Sequence, residues 1–223
     1  MHSYEFEILR LAPQNDIFRQ AHTVHTDGHK NERWEIRMNA SQMDREEALN
    51  LVKSKVKGKN LVKHMLAVEA IMRSLAQHFN EDEKMWGLTG LLHDLDYDET
   101  VNDFDRHSLL TCEWLKDYDL DERILYAIKA HPKKVEPKSK MDWALFATDP
   151  LSGLIVAAAL MHPTKKLKNV TVEFVLNRFK EKRFAAGANR EDIKACEKIG
   201  LSLEEFIRLA LEGMQSIDEE LGL

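Results

Sequence analysis

A chain of 223 residues with 31% charged side chains is long enough to close one hydrophobic core and needs no second domain. A formal net charge of -6 excludes a broad basic surface for nucleic acid or an anionic membrane, so neither partner is expected. The two cysteines, Cys112 and Cys196, lie in helix-like sequence and exclude a disulfide framework or a thiolate metal site, which fits a reducing cytoplasm.

Residues 1–42 stand apart as an N-terminal extension. "YEFEIL" alternates as a strand does and "NERWEIRM" does so less cleanly, which predicts a short β-hairpin or a loose arm. Glu5 and Glu7 argue against a secretory leader. The intervening "HTVHTDGH", His22 to His29, has ligand-like spacing but no apolar frame to fix its geometry, so it reads as adventitious.

From Met43 onward the periodicity is helical, with Asp44 as the first N-cap. Helices are predicted over 44–57, 60–79, 82–95, 105–118, 121–131, 139–161 with an interruption allowed at Pro150, 170–183, 189–199 and 202–221. Asn60, Asp105, Asp121, Asn189 and Ser202 read as N-caps, Ser202 with Glu205 as a capping box, and Gly58, Pro132 and Gly200 as stops. No strand pattern occurs after residue 43, and the longest apolar run, Leu154 to Met161, falls short of the roughly 20 residues a bilayer demands. A soluble, all-α domain over 43–223 is expected.

Five of these segments turn a polar residue inward. His64 lies at the edge of the stripe formed by Leu61, Val68, Met72, Leu75 and Phe79. Asp94 follows Gly90 by four residues and Gly87 by seven, so a neighbouring helix can approach beneath it, and His93 follows Thr89 by four. His107 leads the stripe of Leu110 and Trp114, His131 follows Ile128 by three, and Asp149 follows Phe146 by three. Singly, His64 and His131 read as core histidines, His107 as a first-turn surface residue, and Asp94 and Asp149 as helix-end residues. Together, four inward histidines and two aspartates are costly unless hydrogen-bonded, paired or bound to metal. Imidazole and carboxylate donors suit Zn, Mn, Fe or Ni, and six of them can hold two ions with Asp94 bridging.

The order His64, His93-Asp94, Asp149, with "GLLHDLDYD", "DRHSLLTCEWL", "YAIKAH" and "LFATDPLSGL", resembles the HD-domain superfamily over roughly residues 44–161. The C-terminal helices are similar to those of bacterial predicted HD-superfamily hydrolases. That resemblance implies a helical bundle around a metal site, with His64, His93, Asp94 and Asp149 holding a first ion and His107 and His131 completing a second. Many phosphodiesterase members read His-Asp-Ile-Gly-Lys, whereas this chain reads His93-Asp94-Leu95-Asp96-Tyr97, so a cyclic-dinucleotide activity is not implied.

The expected activity is a metal-dependent phosphohydrolase acting on a phosphomonoester or phosphodiester through water ionised on one or two divalent ions. Asp94 and Asp96 are the expected catalytic carboxylates, and Tyr97, Arg106, Lys180 and Arg183 the substrate-binding residues, while Asp98 and Glu99 are expected to face water. The substrate is expected to be small and anionic, a phosphoester or nucleotide. Two other readings stay open: a di-iron oxygenase on the same ligand set, and an interaction module without catalysis.

Overall fold

Helix α1 (Arg45–Lys55) begins where the Asp44 carboxylate accepts the Glu47 N–H at 2.8 Å, satisfying one of the amides a helix start leaves free. The computed structural model describes residues 43–223, and no strand occurs among them. The hairpin and histidine-rich stretch expected within 1–42 lie outside the described residues.

The chain continues through α2 (Lys59–Phe79), α3 (Glu83–Leu92), α4 (Tyr97–Thr100), α5 (Leu109–Leu115), α6 (Glu122–Ala130) and α7 (Lys140–Met161). It closes with α8 (Val172–Lys180), α9 (Arg190–Lys194), α10 (Leu203–Gln215) and α11 (Asp218–Leu221), with 3-10 turns at Leu167–Asn169 and Ala195–Ile199. Asp121, Asn189 and Ser202 cap α6, α9 and α10 as their sequence positions predict. The reciprocal capping box falls instead at Ser139 and Asp142, which start α7, while Ser202 only accepts the Glu205 N–H. Asn60 lies inside α2, behind Gly58 as N-cap.

Two buried helices organise the rest. Helix α2 packs against α3, α7 and α10, and α7 packs against α2, α6, α8, α9 and α10. Helix α7 runs unbroken through Asp149 and Pro150. Its 22 residues contain an 18-residue window with a mean hydropathy of 1.7, long and apolar enough to cross a membrane, although the uninterrupted apolar run within it is short. Its most apolar window is 61% buried inside the protein, the environment of a core helix.

The α2–α3 contact sets the position of the His93-Asp94 pair. A Cβ on Gly90 would stand 2.9 Å from the Glu69 backbone and the Val68 carbonyl carbon, so only glycine lets the two backbones meet there. Gly87 differs: a Cβ there would meet only the flexible Arg73 side chain, at 2.9 Å. Gly213 of α10 plays the Gly90 role on the opposite side of α2, where a Cβ would sit 2.6 Å from the Ala70 carbonyl oxygen.

The helix predicted from residue 105 starts only at Leu109. Residues 101–108 are turns, and Asp105 caps nothing because Ser108, in the left-handed region at a φ of +67°, occupies the N-cap position. After α8, residues 181–189 form a loop held by Arg190, whose guanidinium donates to the carbonyls of Phe179, Glu181, Phe184, Ala185 and Ala188. Both cysteines are free, and burial pushes each thiol up to about 11.

Gly90→Ala is expected to destabilise the protein by about 1–3 kcal/mol despite alanine's higher helix propensity. Gly87→Ala should be neutral or stabilising, because the Arg73 side chain can swing aside. Urea unfolding of the two variants checks this, and equal stability of both would refute the close-approach account.

Candidate metal centre

Six donor side chains meet where α2, α3, α6 and α7 converge with the turn before α5. His64 projects from the second turn of α2, Asp149 from the middle of α7, and His93 and His131 terminate α3 and α6 as C-caps. Asp94 follows His93, and His107 precedes the strained Ser108.

The donors fall into two sets. His64 Nε2 is 3.2 Å from both His93 Nε2 and Asp149 Oδ1, and 3.6 Å from Asp94 Oδ2. His93 Nε2 is 3.5 Å from Asp94 Oδ2 and 3.9 Å from Asp149 Oδ1. On the other side, His107 Nε2 and His131 Nε2 are 3.2 Å apart and each lies 3.4 Å from Asp94 Oδ1. The Asp94 carboxylate therefore turns one oxygen to each set.

This arrangement fits divalent cations on two counts. Donors about 2.1 Å from a tetrahedral ion stand about 3.4 Å from one another, which is the spacing within each set. The histidine tautomers are also aligned for it. His93 Nδ1 is 2.8 Å from the Gly90 carbonyl and His131 Nδ1 is 2.7 Å from the Ile128 carbonyl, so both Nδ1 atoms carry the proton and donate. His64 Nδ1 lies 3.0 Å from Ser152 Oγ, whose own hydroxyl donates to the Asp149 carbonyl and so accepts from the histidine. His107 Nδ1 lies 2.8 Å from Asp96 Oδ1. Each ring thus presents its Nε2 lone pair to the carboxylates, a crowd of electron pairs that a cation stabilises.

Without a cation, protons neutralise the cluster. Burial pushes His93 down to about 4, because Asp94 repays only part of the desolvation. Burial also opposes charge on His107, but hydrogen bonds to Asp94 and Asp96 outweigh it and hold the ring up at about 9. Burial works against the Asp94 anion too, and the surrounding histidines still keep its carboxyl well below the usual range.

Asp96, expected as a catalytic carboxylate, is fully buried with both oxygens engaged. Besides the Oδ1 contact to His107, its Oδ2 accepts the Thr111 N–H at 2.9 Å, and its own N–H donates to Thr111 Oγ1 at 3.0 Å. It caps the start of α5 from a distance and orients His107, and its bonds leave no oxygen for the cavity. Asp98 is exposed, as expected, and from the surface accepts the Lys57 N–H at 2.7 Å, fastening the turn between α1 and α2.

A cavity of about 560 Å³ opens on the centre, lined by Leu61, His64, Asp94, Tyr97, Phe104, His107, His131, Pro132, Asp149 and Gly187. Tyr97 lines it, edge-on to His107 with ring centroids 5.6 Å apart. Arg106, Lys180 and Arg183 are exposed and do not line it, and Arg106 faces Asp103 at 4.0 Å. Thr111, Ser152, Phe104 and Arg190 matter to the site and went unselected in the sequence. Only Ser152 carries a local signal, three residues beyond Asp149 and so on the same helical face.

A family model described as the HD domain matches residues 61–159, the stretch that holds all six donors. The chain is 30% identical over 169 residues to the Ribonuclease Y of Desulfotalea psychrophila, covering 74% of this chain and 32% of that protein. It is 30% identical over 137 residues to the Ribonuclease Y of a Sulfurovum species, covering 60% and 27%. The Ribonuclease Y of Thermoanaerobacter pseudethanolicus is 27% identical over 168 residues, covering 73% and 33%. The chain thus spans about a third of the length of the curated relatives it matches. No solved structure matches it. With its helices, its ordered donors and the family match in agreement, the segment 61–159 is an HD domain.

Proposed function

We propose that the chain is a metal-dependent phosphohydrolase with two divalent ions. His64, His93, Asp94 and Asp149 would hold one, and Asp94, His107 and His131 would hold the other. The observation that carries this reading is the Asp94 carboxylate, with Oδ2 within 3.5–3.6 Å of one pair of imidazole nitrogens and Oδ1 within 3.4 Å of the other. Such ions lower the pKa of water toward neutrality and stabilise charge on a phosphoryl oxygen.

The protein's own groups prepare that chemistry. Asp96 holds the Nδ1 proton of His107 and Ser152 that of His64, so both rings keep their Nε2 atoms aimed inward. Tyr97 offers a polar tip to a ligand in the cavity, whereas Arg106, Lys180 and Arg183 would have to act from its outer surroundings. The relatives' name favours hydrolysis over the oxygenase and the inert module, because ribonucleases break phosphodiesters. It also reopens the question of a nucleic-acid partner, which the acidic net charge alone had argued against, and places RNA phosphodiesters beside nucleotides as candidate substrates.

Elemental analysis of the purified protein is expected to find about two metals per chain, falling to about one in His107→Ala and His131→Ala. A wild-type count of one, unchanged in these variants, would sink the two-ion model.

Asp96→Asn should cost about 10–100-fold in metal affinity, because it loosens the Nδ1 partner of His107 without touching a proposed ligand. Unchanged affinity would remove Asp96 from that role.

In protein stripped with a chelator, His107 is protonated at pH 7.5 because its pKa is held up at about 9. Binding an ion at its Nε2 must expel that proton, so apparent affinity should rise with pH up to about 9 and proton release should accompany loading. Calorimetry in buffers of different ionisation enthalpy reads the release, and the rise should be smaller in His107→Ala, where only His64, whose pKa is also raised, contributes.

The function itself is tested by turnover of nucleotides, sugar phosphates and short RNA oligonucleotides by metal-loaded protein and its Asp94→Ala variant. Oxygen consumption without release of phosphate or cleavage of RNA would favour the oxygenase.

A further inference from the structure

The large hydrophobic side chains left exposed among the described residues include Val101 and Phe104, in the turns between α4 and α5, and Leu109, the first residue of α5. Phe104 is 53% exposed, yet it lines the cavity that holds the donor cluster. Its ring lies against His107, with centroids 4.7 Å apart and planes inclined by 33°, and the rest of the side chain stays largely open to solvent. Leaving an aromatic ring in water at the mouth of a polar cavity sacrifices burial, and a planar ligand ring would restore it.

Two neighbours make this a built position. Lys134 donates to the Phe104 carbonyl oxygen at 2.8 Å and holds its ammonium 5.8 Å from the ring centroid, which fixes the turn and sets a positive charge at the rim. Two of its three protons remain for other acceptors. Tyr97 stands edge-on to the same histidine inside the cavity. An aromatic platform with a cation beside it suits a ligand that is both planar and anionic.

We propose that Phe104 is the stacking platform for a nucleobase of the substrate, so that the site prefers nucleotide units over base-free phosphoesters. The proposal rests on the phosphoester reading above and names the group attached to the phosphate. Sugar phosphates lack a π-face and gain nothing from the platform.

The test is binding of uncleavable methylene phosphonate analogues of AMP and of ribose 5-phosphate to manganese-loaded protein, followed by calorimetry. Wild-type protein should bind the adenine analogue at least about tenfold more tightly, as one base–aromatic stack allows. Phe104→Ala should erase that ratio, and Phe104→Trp should retain it, with metal content unchanged in both. Equal binding of the two analogues by wild-type protein, or no binding of the adenine analogue, would overturn the proposal. So would an equal loss for both analogues in Phe104→Ala, which would leave the ring as packing for His107 alone. If base-dependent binding holds while no phosphoester is turned over, the hydrolase reading fails and the platform stands.

Discussion

The structure turns on the Asp94 carboxylate, a buried anion shared between two pairs of imidazoles. Burying such a charge is expensive unless positive charge or donors meet each oxygen. The four histidines meet it in a particular way, since every Nδ1 is occupied by a backbone carbonyl, a serine or a carboxylate. With those protons committed, the Nε2 atoms have nothing to give Asp94 except an added proton or a shared cation. The high proton affinity of His107 and the low one of His93 are two consequences of that single frustration.

The surrounding fold serves to hold this cluster together. Gly90 allows α3 to lie on the backbone of α2, which brings His93 and Asp94 to His64. Asp149 reaches the same point because α7 passes through Pro150 without ending. The weakest scaffold is under His107, which comes from turns rather than a helix. There the backbone is strained at Ser108, whose Oγ is buried without a partner, and Asp96 compensates by binding both the His107 ring and the first turn of α5. The Phe104 platform belongs to the same irregular stretch, as does the Lys134 contact that steadies it. The features proposed to shape ligand preference thus gather where regular structure is absent, the usual place for specificity on a rigid frame.

How much was legible in advance divides along the same line. The helices, most of their caps and the inward histidines could be read because they depend on 3.6-residue periodicity and on local side-chain-to-backbone bonds. Helix α5 was predicted four residues early because Asp105 looks like a cap. Nothing local shows that the true capping carboxylate is Asp96, 15 residues from its Thr111 partner. Asp96 itself was assigned to catalysis for the same reason: adjacency to His93-Asp94 is a sequence fact, while its burial is a packing fact. Arg106, Lys180 and Arg183 carry charge suited to an anionic substrate, but charge does not reveal which way a loop or a helix end presents it.

By itself, then, the sequence determined an all-α HD domain and the six polar side chains that converge within it, because apolar periodicity decides which side chains point inward and inward polar groups must be matched. Tertiary structure alone decided that Asp94 splits its oxygens between two donor sets, that Asp96 orients rather than lines the cavity, and that Phe104 sits exposed at its mouth. Each of these depends on contacts between segments far apart in the chain, whose geometry is set by how closely helices pack and is written in no local pattern.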